Sequence, residues 1–203
     1  EGVSFKLGAY HNDDGGYFRN RFNGGSFGKA RTDILRAGLA FDLGERLRVV
    51  AKGELSDSRG DGAITQNHGL FSRESFDLSV NNEGFYDVRA RFGSLRADYD
   101  LGQGKLTNIF GYRHYRQFTD NDIDSTPGFV FHSATGLAQE QWSNELRYAG
   151  TFGALDVTLG GYLFHQDIAY EEDRKIPPSP LFYGGGRQAQ DVYGLFAAAD
   201  YAL

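Results

Sequence analysis

The chain has 203 residues, a formal net charge of −6, 28 glycines, four prolines and neither cysteine nor methionine. Without cysteine there is no disulfide framework, thiolate metal site or cysteine nucleophile, and an acidic chain with no basic patch excludes general attraction to nucleic acid. No apolar run approaches the ~20 residues of a membrane helix, but a negative mean hydropathy does not exclude a membrane β-barrel, which hides its hydrophobicity by alternation.

Period-2 alternation dominates from the start. Val3, Phe5, Leu7 and Ala9 alternate with Ser4, Lys6, Gly8 and Tyr10. A second run sets Leu35, Ala37, Leu39, Phe41 and Leu43 against Arg36, Gly38 and Asp42, and a third sets Leu47, Val49, Ala51 and Leu55 against Arg48, Lys52 and Glu54. Four more follow: Leu95 to Leu101, Lys105 to Phe118, Trp142 to Tyr148 and Leu155 to Leu163. An eighth, Asp191 to Ala202, has less distinct faces. Between them, long polar connections (His11 to Arg31, Asp57 to Gly84, Thr119 to Gln139, Ile168 to Ala189) alternate with tight turns at Gly44-Glu45, Gly102-Gln103-Gly104 and Phe152-Gly153-Ala154. Glycine supplies the positive φ that such hairpins require.

Strict alternation of long and short connections is the rhythm of a bacterial outer-membrane barrel, and strands of ten or more residues suit a tilted membrane crossing. The expected fold is therefore all-β: about eight antiparallel up-and-down transmembrane strands with short periplasmic turns and long extracellular loops. The charged face (Arg36, Lys52, Glu54, Arg96, Asp98, Glu145, Arg147) is expected to line the interior. Tyr10, Phe41, Tyr99, Tyr112, Tyr148, Tyr162 and Tyr201, near run ends, are expected to form interfacial girdles.

Several chemical-looking motifs lack their context. Gly24-Gly25-Ser26-Phe27-Gly28 matches a nucleophile elbow but has no strand before it and no helix after it. Asp120-Asn121-Asp122-Ile123-Asp124 opens like a calcium loop, but Ser125 and Phe131 stand where an EF-hand needs Gly and Glu; a looser calcium site on Asp120, Asp122 and Asp124 remains an expectation. Arg59-Gly60-Asp61 reads as a charged glycine turn. The five histidines are dispersed, and no acid–base pair with placed geometry emerges, so no enzymatic activity and no cofactor are expected. The long loops mix aromatics with Asn, Asp, Gly and Arg, a composition suited to ligand capture. Tyr17, Phe18, Arg19, Phe129, Phe131, Phe182 and Tyr183 are the candidate ligand contacts. Packing of the loops on one another is the competing role.

Four stretches carry a family likeness. Asp13-Asp14-Gly15-Gly16-Tyr17-Phe18-Arg19-Asn20 is similar to a "DGY-x-x-N" segment. Ala37-Gly38-Leu39-Ala40-Phe41 with Ser58-Arg59-Gly60-Asp61-Gly62 is similar to the next hairpin and its loop. Asp98-Tyr99-Asp100-Leu101-Gly102 with Leu106-Thr107-Asn108-Ile109-Phe110-Gly111-Tyr112-Arg113 is similar to "DYDLG…LTSITGYR". Trp142-Ser143-Asn144-Glu145-Leu146-Arg147 is similar to "SNELRL", followed by Gly160-Gly161-Tyr162-Leu163-Phe164-His165-Gln166. In this order they resemble TonB-dependent outer-membrane receptors.

The resemblance implies a 22-stranded barrel with an N-terminal plug. It implies active uptake of a scarce small-molecule or glycan ligand (a ferric siderophore, cobalamin or a glycan), and as partners the plug domain, the TonB complex, outer-membrane lipid and lipopolysaccharide. The chain departs from that family in having about eight strands, no separate plug domain or energy-coupling box, and a Tyr201-Ala202-Leu203 end in place of a terminal Phe. Residues 1–203 are expected to be a single barrel domain or a barrel section. Two alternatives stand beside it: a self-contained eight-stranded outer-membrane barrel with a structural or adhesive role, and a soluble ligand-binding barrel. Pairing of the first strand with the last separates them.

Overall fold

The computed structural model describes residues 2–178 and 182–202. Eight long strands form one antiparallel up-and-down sheet: β1 (Gly2–Asp14), β4 (Ala30–Leu43), β5 (Leu47–Gly60), β7 (Phe85–Asp100), β8 (Gly104–Asp122), β9 (His132–Phe152), β10 (Leu155–Lys175) and β11 (Phe182–Tyr201). A second, three-stranded sheet is made of β2 (Phe18–Asn20), β3 (Ser26–Phe27) and β6 (Asp77–Leu78) within the first two long connections.

The eight alternating runs are all present, but the strands continue well past them at the loop end. The long connections shrink accordingly to residues 15–29, 61–84, 123–131 and 176–181. Beyond the apolar runs both faces turn polar, so alternation fades, while the backbone ladder, indifferent to side chains, carries on. The three short turns close as expected, each with a glycine at positive φ: Gly44 (65°), Gly102 (87°) and Gly153 (65°).

The register sorts the side chains into two faces. Val3, Phe41, Val49, Ala97 and Leu146 fall in one cross-strand row and Phe5, Leu39, Ala51, Leu95 and Phe110 in the next. This apolar face is exposed: Phe5 is 79% and Leu195 93% accessible. Two amides within it, Asn108 and Asn144, satisfy each other, with Nδ2 donating to Oδ1 in both directions at 3.0 and 3.2 Å. Asn108 also donates to the Glu145 carbonyl (3.1 Å), so neither presents a free amide.

The opposite face carries every member of the predicted charged set. It is the concave side: the buried mid-strand residues Ala90 and Thr107 lie on it, as does a hollow lined by Arg48, Val50, Lys52, Ser94, Arg96, Asp98 and Ile109. Tyr99, Tyr112, Tyr148 and Tyr201 stand with Phe41 on the apolar face. Tyr10 and Tyr162 do not: they pair with Ile34 and with Glu145 and Gly194, on the concave side. Position near the end of a run does not fix which face a residue occupies; parity does.

The turns are staggered. Leu47, beside the β4–β5 turn, is in register through Tyr99, Leu106 and Tyr148 with Leu159, four residues beyond Leu155 at the β9–β10 turn. Those turns are four strand spacings apart. Bringing them to one level tilts the strands by about 35°, using ~3.3 Å per residue and ~4.8 Å between strands. With that tilt, the apolar stretch Leu155 to Leu163 is about 22 Å tall, close to the ~25 Å band of an outer-membrane barrel.

The sheet does not close. Among the described residues β1 pairs only with β4 and β11 only with β10. Both outer edges are free over 13 and 20 residues among the described residues.

Candidate functional site

Three of the long connections knit into one cap over the loop end. Its core is Phe27, Leu78 and Val80, all essentially inaccessible, with Phe18 packed on them. Asn20 at the end of β2, 0% exposed, pairs with Val80 as a backbone would. Its Nδ2 donates to the Val80 carbonyl (3.0 Å), and its Oδ1 accepts the N–H of Val80 and of Phe22 (3.1 Å each). Asp61 accepts the N–H of Gly28 and Lys29 through Oδ2 at 3.0 and 2.9 Å, so the Arg59-Gly60-Asp61 carboxylate is used as a loop clamp. Gly24 and Gly25 complete the turn of the β2–β3 hairpin and Ser26–Phe27 form β3, where Phe27 is core rather than part of a nucleophile elbow.

The third connection joins through polar bonds. Asn121 Oδ1 accepts the Ala63 N–H (2.7 Å), Ser125 Oγ donates to the Thr65 carbonyl (2.8 Å), and Thr65 Oγ1 donates to the Asp122 carbonyl (3.1 Å). Gly84, at φ 57°, lets the second connection press against the Asp120 carbonyl, a space that a Cβ would fill.

Asp122 and Asp124 converge with His132; Asp120 is not in this group. Asp122 is 2% exposed, and its two oxygens accept the N–H of Ser125 (2.8 Å) and Asn81 (3.0 Å). Asp124 accepts from Thr126, through both N–H and Oγ1, and from the Phe131 N–H (2.6 Å). His132 Nε2 contacts Asn81 Oδ1 at 2.7 Å. All four carboxylate oxygens thus already take backbone N–H, and the group ties down Ser125, which sits at positive φ (51°). This bonding suits a loop staple better than a cation cage.

The two carboxyls titrate in opposite directions. Burial pushes Asp122 above the ordinary carboxylate range, against the two N–H bonds. For Asp124 burial acts upward, but the Thr126 and Phe131 hydrogen bonds together outweigh it and hold the group below that range. Asp124 therefore stabilises the fold above the ordinary carboxylate pKa and loses this as pH falls through its lowered value. The Asp122 contribution is present below the ordinary pKa and is lost as pH rises through its raised value. Replacing Asp124 with Asn is expected to lower the hydrogen-exchange protection factor of the Phe131 N–H about tenfold at pH 7, the cost of one charge-assisted bond. The deficit is expected to shrink toward pH 3; an equal deficit at both pH values contradicts this assignment.

The loop aromatics fall into separate groups. Tyr17 stacks on Phe18 (5.0 Å between centroids), and both meet Phe76 edge-on at 5.9 and 5.7 Å. Tyr17 and Phe76 are exposed and half-buried Phe18 anchors them to the cap core, with Arg19 on β2 beside them. Phe129 lies 4.5 Å from the His132 ring, and the Phe131 N–H is held by Asp124. Phe182 takes the Arg174 guanidinium at 5.6 Å, next to an exposed Tyr183 on β11. The third group lies on the outer edge of the sheet, one strand beyond the second: His132 is in register with Lys175, and Arg174 with Phe182. Sequence reasoning missed Asn20 and His132 as organisers of the cap. Their partners, Val80 and Asn81, lie 60 and 51 residues away, and no local spacing signals such pairs.

No protein-family model matches the sequence, and no curated protein matches it. Solved structures do. The ferric yersiniabactin uptake receptor FyuA from Yersinia pestis superposes with a TM-score of 0.68 at 13% identity, over 99% of this chain and 40% of that one. BauA, the ferric preacinetobactin receptor from Acinetobacter baumannii, superposes with a TM-score of 0.63 at 11% identity, over 98% of this chain and 34% of that one. The chain thus spans well under half the length of the receptors it resembles, and what it shares with them is the all-β, up-and-down fold of a stretch of receptor barrel.

Proposed function

We propose that this chain is a section of the wall of a TonB-dependent outer-membrane receptor for active uptake of a scarce ligand, with a ferric siderophore as the leading class. The observation that carries the reading is the open eight-stranded sheet with an exposed apolar band on one face and paired charges on the other. A soluble barrel has its apolar face inward; here that face is outward, as in a barrel whose outer band meets lipid. Among the described residues no seam joins β1 to β11, which speaks against a self-contained small barrel, and long free edges call for further strands. In this reading the short turns are periplasmic and the cap is extracellular. The band meets lipid and lipopolysaccharide, the concave charges face a plug, and the TonB complex supplies the energy. Both superposed structures are ferric-complex receptors by name, which favours iron over cobalamin or a glycan.

Cell fractionation tests the placement: the protein is expected in the outer membrane, released only by detergent. Recovery in the soluble fraction contradicts it. Growth under iron limitation is expected to raise its level several-fold, and an unchanged level removes the siderophore assignment while leaving the barrel reading intact.

A further inference from the structure

Strand parity puts six arginines on the concave face: Arg36, Arg48, Arg96, Arg113, Arg147 and Arg174. Five hold a carboxylate, in the pairs Arg36–Glu54 (2.5 Å), Arg48–Asp42 (3.2 Å), Arg96–Asp98 (2.7 Å), Arg147–Glu145 (3.8 Å) and Arg174–Glu172 (2.5 Å). Arg113 has no carboxylate within ion-pair distance among the described residues. Its guanidinium carbon instead lies 5.3 Å from the Phe92 ring centroid and 5.4 Å from that of Tyr115, and its buried Nε has no hydrogen-bond partner. Cation–π contact offsets part of the cost of desolvating a guanidinium but leaves its N–H fork unused.

The position of Arg113 adds to this. It is level with the Arg36–Glu54 pair, through Phe92, and the Arg48, Arg96 and Arg147 pairs lie toward the short turns. Toward the cap the wall around it turns to neutral amides and hydroxyls. Gln141 is directly opposite on β9 and Gln166 beyond it on β10. Gln139 donates to Gln166 Oε1 (2.7 Å) and, more weakly, to Gln141 (3.4 Å), and the Tyr115 hydroxyl donates to Gln117 (2.6 Å). An aromatic-framed cation at the edge of an amide-rich wall matches a ligand with many neutral oxygens and a concentrated negative charge.

We propose that Arg113, with Tyr115, Gln139, Gln141 and Gln166, forms an anion-accepting contact for the transported ligand, whose negatively charged oxygens occupy the guanidinium fork while its neutral oxygens meet the amides. This rests on the receptor reading and adds a ligand class to it. The competing occupant is a carboxylate from another part of the same protein, such as a plug.

The test is equilibrium binding to the full-length protein in outer-membrane vesicles. Four probes serve: a ferric tricatecholate complex of charge −3, a neutral ferric trihydroxamate complex, cyanocobalamin and maltohexaose. The wild type is expected to bind the tricatecholate most tightly. Arg113→Gln is expected to weaken that binding roughly ten- to hundred-fold without changing any neutral probe, and Arg113→Lys, with charge but no fork, to fall between. A neutral probe preferred by the wild type, or unchanged tricatecholate binding in Arg113→Gln, overturns the proposal and leaves the receptor reading standing. So does an equal loss for every probe together with a lowered unfolding temperature, which identifies an internal carboxylate as the partner. Binding of none of the four probes by the wild type also overturns the proposal, and the receptor reading then stands or falls on the fractionation test.

Discussion

Leu95→Arg is expected to destabilise the folded protein in a bilayer by about 2–4 kcal/mol, the cost of a cation on the lipid face near the midplane. Leu95 lies in the middle of the outward band, in register with Ala51 and Phe110, and is half-exposed. In a protein surrounded by water the same replacement falls within about 0.5 kcal/mol of neutral, so the size of the effect reports what surrounds the band. Thr158→Arg is the matched control: its position is on the concave face, opposite Ala149 and Ala198, and it is expected to stay within about 1 kcal/mol of wild type. Urea unfolding of the full-length protein in vesicles, read on wild type and both variants, gives the comparison. Equal effects at the two sites contradict the assignment of faces.

Asn20→Leu is expected to unfold the cap while leaving the sheet intact. Leucine keeps the branch at Cγ but is bulkier, so in this closed site overpacking adds to the loss. What is lost is the partner of the Val80 N–H, the Val80 carbonyl and the Phe22 N–H, in a site with 0% exposure. An unsatisfied buried group costs about 1–3 kcal/mol. Three of them exceed what a core of Phe27, Leu78, Val80 and Phe18 can hold against the entropy of ordering these loops. Limited proteolysis from the outside is expected to cut within residues 15–29 and 61–84 at least tenfold faster, with the resistance of the strands to heat in detergent unchanged. Protease sensitivity at the wild-type level contradicts the role given to Asn20.

The sheet was legible in the sequence because its faces differ. Val3, Phe5 and Leu7 against Ser4, Lys6 and Gly8 state a strand and its two environments in six residues, and Gly44, Gly102 and Gly153 mark where hairpins turn. Residues 85–94 were not legible as strand: Arg89, Arg91 and Gly93 stand on the same face as Leu95, so the apolar parity breaks while the hydrogen-bond ladder to β5 and β8 continues. The cap was hidden for a different reason. β2, β3 and β6 are two or three residues long, too short for any period, and their core unites Phe18 and Phe27 with Leu78 and Val80 across some 50 residues. Tyr17 and Phe18 were recognisable as loop aromatics, but only the fold shows that Phe18 is a packing residue while Tyr17 is exposed beside Phe76. Arg113 looked like any other strand arginine. Its lack of a carboxylate is a property of its neighbours on β7 and β9, not of the residues beside it.

The strands also grow along the sheet, from 13 and 14 residues in β1, β4 and β5 to 21, 21 and 20 in β9, β10 and β11. A seven-residue difference between the two outermost strands is about 23 Å of extra chain at ~3.3 Å per residue. The wall therefore has a sloping parapet. Its low side is built up by the folded cap, which reaches as far as His132 at the start of β9, and its high side is a ribbon of β10 and β11 standing clear of the apolar band. In the receptor reading proposed above, anything approaching from outside meets a compact knob on one flank and a tall, exposed blade of paired strands on the other. A strand that pairs with β11 along its whole length must itself run about 20 residues.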